Sequence, residues 1–301
     1  MVQGKQSLRL GVALPQTELG GDPAAMRDFA QASEELGYDH LVTYDHVLGA
    51  NPGGDDTDSP RNLFHDPFVL FGFMAACTRR IELSFQVLIL PQRQTVLVAK
   101  QAASLDVLCN GRLRLGVGVG WNEVEFIGLG ENFHDRGRRS EEQVELMRAL
   151  WAEPYISFEG KWHKVPDAGI NPLPPRGNIP LWFGGHADVT LRRIAKIGDG
   201  WMPLAYPPDD TARGEVEKLR RYGEEAGRGP GEVGIDAWVS MGSENPEQWR
   251  DEVTGWRDCG ATHLTLSTAF AAYHHKRLEG TTLAAHLDAI GRYREAVADL
   301  L

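Results

Sequence analysis

A (β/α)8 barrel is the fold class that this sequence predicts, on three observations. Eight short apolar or alternating segments recur along the chain, helical segments with readable ends lie between them, and 301 residues accommodate one such domain. The candidate strands are Leu8 to Leu14, His40 to Tyr44, Ile81 to Leu90, Leu113 to Val119, Pro180 to Gly184, Gly198 to Met202, Val233 to Met241 and Thr262 to Ser267. Strands that alternate with helices build a parallel sheet. Eight such units in this length suit a barrel better than an open doubly wound sheet, which more often needs a second domain. Residues 1–301 are therefore expected to form a single domain.

The helices are read from their ends. Asp22 is placed to cap and Pro23 suits a first helical turn; Met26, Phe29, Ala30 and Leu36 share a face, and Gly37 can end the helix. His65-Asp66 reads as an N-cap before Pro67. Ser140-Glu-Glu-Gln143 offers a capping box ahead of Val144, Met147 and Trp151. Asn245-Pro246 starts a helix with Trp249, Val253 and Trp256 on one face and Gly260 as its stop, and Thr282 precedes Leu283, Leu287, Ile290 and Val297. Two long interruptions, Val47 to His65 and Ala152 to Asn178, are expected as loops on the active-site face. GYDHLVT at Gly37 is echoed by GATHLTL at Gly260, a weak sign of repeated units.

A net charge of -11, with both signs mixed along the chain, gives no electrostatic reason for nucleic acid or membrane partners, and a small-molecule substrate is the expectation. Cys77, Cys109 and Cys259 lie far apart and outside any metal-binding spacing, so reduced thiols and no metal site are expected. The N-terminal residues carry no apolar leader, and no stretch of about eighteen apolar residues occurs, which predicts a cytoplasmic protein.

The segment RLRLGVGVGWNEVEF, Arg112 to Phe126, carries glycine at alternate positions. It fails as a dinucleotide fingerprint, because Trp121 stands where a third glycine would be, the strand is the fourth in order, and no clear helix is expected before Ser140. Alternating glycines strip one face of a strand, which serves either tight packing or the approach of a planar ring. Polar, aromatic and glycine residues gather at strand C-termini, where barrel enzymes build their sites: Asp45-His46, Gln86-Val87, Gly120-Trp121-Asn122-Glu123, Gly184-Gly185-His186 and Trp201. A plain βα turn accounts for Gly184-Gly185 as well as a phosphate cradle does. Trp121 and Trp201 are equally readable as core aromatics. Asp45 and His46 are adjacent, so their side chains point apart and they form no dyad.

With these residues in view, the chain resembles the luciferase-like monooxygenase superfamily, in its flavin- or deazaflavin-dependent oxidoreductase branch. The resemblance is carried by DHV at Asp45, HDPFVL at His65, LPQRQTVLVAKQAASLDVLCNGRLRLGVGVGWNEVEF at Leu90, RGRRSEEQVELMRALW at Arg136 and PLWFGGHADVTLRRIAKIGDGW at Pro180. It implies a barrel, often dimeric, that binds coenzyme F420 or FMN at the C-terminal mouth. On that likeness His46 matches the histidine beside the deazaflavin ring and Asp45 an accompanying cofactor-contacting acid. Gln86-Val87 falls where many members have a non-prolyl cis peptide or a bulge under the ring. Gly118, Val119, Gly120 and Trp121 would run along the ring and its ribityl chain, and Gly184, Gly185 and His186 would hold the phosphate.

Some F420-dependent sugar-phosphate dehydrogenases place a glutamate where this chain has Trp121, which argues against that substrate and leaves Glu123 as the candidate acid. An ion pair between Glu123 and the cluster Arg136, Arg138, Arg139 is the competing reading. The likeness favours an F420-dependent hydride-transfer oxidoreductase acting on a small organic molecule as a homodimer. The alternative is an FMN-dependent monooxygenase that activates oxygen on reduced flavin. Arginines 61, 93, 136, 138, 139, 192 and 193 include candidates for the polyglutamate tail of F420, against ordinary pairing with carboxylates. A metal-dependent hydrolase using Asp45, His46, His65 and His186 lacks the usual His-x-His pair on the first strand, and a binding barrel without turnover is the non-enzymatic reading.

Overall fold

A computed structural model describes residues 7–49, 63–229, 231–242 and 244–301. In chain order the elements are β1 (Arg9–Ala13), α1 (Gln16–Leu19), α2 (Pro23–Glu35), β2 (His40–Thr43), α3 (Pro67–Cys77), β3 (Glu82–Phe85), β4 (Leu88–Ile89), α4 (Thr95–Leu108), β5 (Leu113–Gly118), α5 (Glu123–Leu129), α6 (Arg136–Ala152), β6 (Ile156–Glu159), β7 (Lys164–Ala168), β8 (Leu181–Gly184), α7 (Asp188–Ile197), β9 (Gly200–Met202), α8 (Asp210–Glu225), β10 (Gly234–Ser240), α9 (Pro246–Cys259), β11 (His263–Ser267) and α10 (Leu283–Ala296). The main sheet runs β3-β2-β1-β11-β10-β9-β8-β5-β4, and β3 also pairs with β5. This strand order, with helices between parallel strands, is that of a (β/α)8 barrel.

All eight expected strands are present. The third is divided: β3 and β4 flank Gln86-Val87, whose peptide bond is cis, and both pieces lie parallel to β5, with Leu83 opposite Leu113 and Ile89 opposite Gly118. The caps at Asp22, Asp66, Asn245 and Thr282 are made as read, each side chain accepting from backbone N–H groups of the first turn. Gly260 closes α9 in the left-handed conformation.

By their internal contacts the described residues fall into two compact units, one from the chain up to Val42 together with Trp182 to Leu301, the other Thr43 to Leu181. In the first, β1 is flanked by β2 and β11, so the two strands of the GYDHLVT and GATHLTL echo lie on either side of it. Their histidines meet: the His40 and His263 rings are 5.7 Å apart. His40 is fully buried, shares a hydrogen bond with Thr265 Oγ1 at 2.9 Å and lies 3.2 Å from Asp236 Oδ2. Burying His40 Nε2, Thr265 Oγ1 and the Asp236 carboxylate is tolerable because they pair with one another. Gly11 leaves the room that the His40 ring fills.

In the second unit α3 and α4 pack beside β3 to β5, and α6 covers α4. The capping box expected at Ser140 is not one, because α6 begins at Arg136; Ser140 is buried and its hydroxyl donates to Gly137 O. The region Ala152 to Asn178 is not loop throughout, because it contains the antiparallel hairpin β6–β7. That hairpin is pinned by Glu142 on α6, whose carboxylate accepts the backbone N–H groups of Lys161, Trp162 and His163 and faces His163 Nδ1 at 2.8 Å. The His163 Nε2 in turn lies 2.6 Å from Thr95 Oγ1. No helix of the described residues is long and apolar enough to cross a membrane.

Candidate active site

The second unit assembles most of the residues that the sequence singles out. Beyond β2 the chain continues as Tyr44-Asp45-His46, and the two polar side chains part company as expected. Asp45 is buried and turns into the protein, where Oδ1 accepts from Arg93 Nη2 at 2.8 Å and Oδ2 accepts from Ile89 N at 3.0 Å. Burial pushes its carboxyl above the usual range, and the Arg93 guanidinium works against that shift. Arg93 is shared with Asp66 Oδ2 at 3.0 Å, so the cap of α3 and the Asp45 loop hold the same guanidinium.

His46 points the other way and remains a fifth exposed. Its ring lies 4.9 Å from the Phe64 ring and 6.4 Å from that of Trp121, edge to face with the latter. Tyr44 adds a further aromatic edge against Phe64 at 5.7 Å. His46 Nδ1 is 3.4 Å from Glu125 Oε1. Glu125 is the site residue that sequence reasoning missed. Its one visible signal was the pattern Asn-x-x-Glu ahead of Phe126, which marks a helix start.

That helix is α5, and it corrects the expectation that none follows the glycine strand. Asn122 caps it through Val124 N and donates from Nδ2 to Leu48 O at 3.3 Å. The fingerprint still fails on spacing and on strand order. Glu123 occupies the first turn of α5, exposed, with His134 Nε2 at 4.0 Å as its ion-pair partner. It is not brought to His46; Glu125 is.

The alternating glycines resolve into two different reasons. At Gly118 a Cβ would come within 2.5 Å of Val87 Cγ2, so the bare face there admits the valine of the neighbouring segment. Gly120 is left-handed at φ +73, and a Cβ would meet Ile89 Cγ2 at 2.6 Å. Its carbonyl accepts from Arg136 Nε at 3.0 Å. Val119 and Gly120 are partly exposed between them, Gln86 is nearly buried beside Val87, and Trp121 is 63% exposed rather than part of the core. Trp201 is the core aromatic of the pair, fully buried.

The first unit carries the second group. β8 ends at Gly184; Gly185 is left-handed at φ +117 and accepts from Trp201 Nε1 at 2.9 Å. No side chain caps the start of α7. The His186 ring packs edge-on to Tyr206 at 5.1 Å, and its Nδ1 is buried without a hydrogen-bond partner among the described residues. Burial holds that imidazole below the ordinary histidine range, against the pull of Glu215. An uncapped helix start, a left-handed glycine and an orphaned buried nitrogen fit an anionic group such as a phosphate.

The arginines behave mostly as structural partners. Arg139 pairs with Glu131 and donates to Pro91 O, Arg136 stacks on the Phe133 ring, and Arg192 pairs with Asp188 across one helical turn. Arg61 and the middle of the Val47 to His65 interruption lie outside the described residues. Among the described residues, no three His, Cys, Asp or Glu side chains gather as metal ligands.

The model of the luciferase-like monooxygenase family matches residues 7–298. An uncharacterized protein of Mycobacterium tuberculosis is 36% identical over 220 residues, which cover 68% of this chain and 75% of that protein. The F420-dependent glucose-6-phosphate dehydrogenase of Nocardia farcinica is 33% identical over 203 residues, 65% of this chain and 56% of that enzyme. Among solved structures, an F420-dependent secondary alcohol dehydrogenase in complex with an F420-acetone adduct superposes with a TM-score of 0.77 at 18% identity, over 97% of this chain and 99% of its own. A monooxygenase from Streptomyces bottropensis superposes with a TM-score of 0.75 at 19% identity, over 98% of each chain. Both share the fold described above.

Proposed function

The chain belongs to the luciferase-like monooxygenase family, and on that premise we propose that it is an oxidoreductase using coenzyme F420 for hydride transfer to or from a small organic substrate. The observation that carries this reading is the His46 imidazole, partly exposed between the Phe64 and Trp121 rings and backed by a buried carboxylate. Such a group can move one proton, which is the complement a hydride needs to turn a carbonyl into an alcohol. The 33% identity to an F420-dependent enzyme favours the deazaflavin over FMN. The exposed Trp121 argues for a small, apolar substrate over a sugar phosphate.

When bound, the cofactor supplies or accepts the hydride; the chain's own residues orient it and handle the proton. We assign Gln86, Val87 and the stretch Gly118, Val119, Gly120 and Trp121 to its ring and linker, with Asp45 fixing the loop that carries His46. Gly184, Gly185 and His186 are assigned to its phosphate, on the uncapped start of α7 and the orphaned His186 Nδ1. Glu123, exposed beside His134, is the weaker candidate acid. The buried cysteines Cys109 and Cys259, which form no disulfide among the described residues, support a cytoplasmic setting. The apolar outer faces of α3 and α4 support a homodimer.

FMN-dependent monooxygenation is the second reading, favoured by the family's name. Titration of the apo protein with F420 and with FMN, each in both redox states, followed by anaerobic and aerobic turnover, separates the two. Binding of F420 with oxygen-independent turnover is expected. Oxygen consumption that depends on reduced FMN, with no F420 binding, would overturn the first reading.

A further inference from the structure

The surroundings of the buried carboxylate behind His46 define what it does to the imidazole. Glu125 is 1% exposed. Its Oε1 accepts from Val47 N at 2.8 Å and Leu48 N at 3.3 Å, and its Oε2 from Gln92 Nε2 at 2.8 Å. Each of these groups is a donor, which suits an ionised carboxylate and not a protonated one. Burial pushes the carboxyl up, but the hydrogen bonds from His46, Gln92 and the Val47 amide outweigh it and hold the group below the usual glutamate range. An ionised carboxylate only accepts, so a hydrogen on the His46 Nδ1, 3.4 Å away, is the arrangement that complements it.

We propose that Glu125 is the positioning residue for His46: it holds the imidazole in the Nδ1–H form, so that proton exchange with substrate runs through Nε2. This rests on the reading of His46 as the proton-handling group. The other charged neighbour, Asp45, is committed to Arg93 at 2.8 Å, and the Phe64 and Trp121 rings beside the imidazole carry no charge.

A purely structural role, tying the 46–48 loop to α5, is the rival explanation, and the surroundings allow the two to be separated. The loop is also held by the Asn122 Nδ2 bond to Leu48 O and by the Leu48 side chain lying where Gly128 has no Cβ. Gln92 Oε1 is buried with no hydrogen-bond partner among the described residues, so turning the Gln92 amide over would supply an acceptor for an amide at position 125. Glu125→Gln thus keeps the scaffold and removes the charge.

The first measurement needs no cofactor. In the apo protein labelled with 15N-histidine, above the pH at which the ring titrates, His46 should show a protonated Nδ1 and a bare Nε2, and Glu125→Leu, which leaves no acceptor opposite Nδ1, should admit the opposite tautomer. The second is kinetic, with F420. Glu125→Gln should lower kcat on the order of 10- to 100-fold, a part of what a well-placed acid or base contributes, while cofactor Kd and the thermal midpoint stay close to wild type. In a His46→Asn background the same change should cost less than about twofold, because the two residues act as one. A bare Nδ1 in the wild type, or a full loss repeated in the His46→Asn background, overturns the proposal. A wild-type protein that fails to turn over F420 overturns the functional reading instead, and the tautomer then decides the role of Glu125 alone.

Discussion

Val87 occupies the space that a side chain at position 118 would need: a Cβ on Gly118 would stand 2.5 Å from Val87 Cγ2 and 3.7 Å from Ile89 Cδ1. Valine is branched at Cβ and stiff at χ1, so it cannot swing clear as a long side chain would. Gly118→Ala should therefore destabilise the protein by about 1–3 kcal/mol, the usual cost of overpacking. Val87→Ala removes the colliding methyl and should restore part of that loss in the double variant. Urea unfolding of the two single variants and the double checks this, and strict additivity would contradict the packing account. The effect of Gly118 substitutions on cofactor affinity then passes through displacement of Val87.

The Asp45–Arg93 pair is bidentate and largely shielded from water. Removing one partner of a buried pair leaves the other charge uncompensated, at a cost of about 3–5 kcal/mol. Asp45→Asn can keep the bond from Ile89 N, and Arg93 keeps Asp66, so a loss near 3 kcal/mol is expected. Arg93→Lys gives up the forked geometry and should also destabilise. Replacing both, with Asp45→Asn and Arg93→Met, should cost less than the sum of the single changes. Chemical denaturation midpoints at neutral pH give all the terms.

The contrast between these residues and Glu125 shows what a single sequence carries. Strands were legible because each is a short β-branched run bounded by glycine or proline, and the caps at Asp22, Asp66, Asn245 and Thr282 because a cap is satisfied within three residues of itself. α5 is hard to read from sequence because it spans only Glu123 to Leu129 and contains a glycine. The partners of Glu125 lie 33 and 78 residues away, at Gln92 and Val47, and nothing local distinguishes it from the exposed Glu123 two positions earlier. The filling of the Gly118 face by Val87 likewise depends on the register of β4 on β5, which alternation alone does not fix.

α3 reads PFVLFGFMAAC, without a charged or amide side chain on any face. A helix apolar all round is ordinarily covered on all sides, yet Val69 is 72% exposed, and on neighbouring α4 so is Leu97 by half. Burial of these faces against a second copy is the basis of the proposed homodimer. Val69→Asp combined with Phe73→Glu should convert the particle to the mass of a single chain in light scattering, with secondary structure unchanged. A wild type that runs as a monomer at micromolar concentration would refute the dimer outright.

Glu252 on α9 titrates in the physiological range. Burial raises its carboxyl to about 7, with one backbone hydrogen bond from Ser240 opposing the shift. The folded state therefore binds a proton that the unfolded chain releases at the ordinary glutamate value. Stability from this group is fully present below about pH 4.5 and is lost as the pH rises through 7, because ionisation must then occur in a poorly solvated place. A shift of this size corresponds to at most about 3 kcal/mol between pH 5 and pH 9. The fall should flatten in Glu252→Gln, which is uncharged at every pH, so the variant should gain on the wild type as the solution becomes alkaline. Unfolding free energies of both proteins from pH 5 to pH 9 check the sign; parallel curves would show that Glu252 ionises as easily in the folded protein as in the unfolded chain.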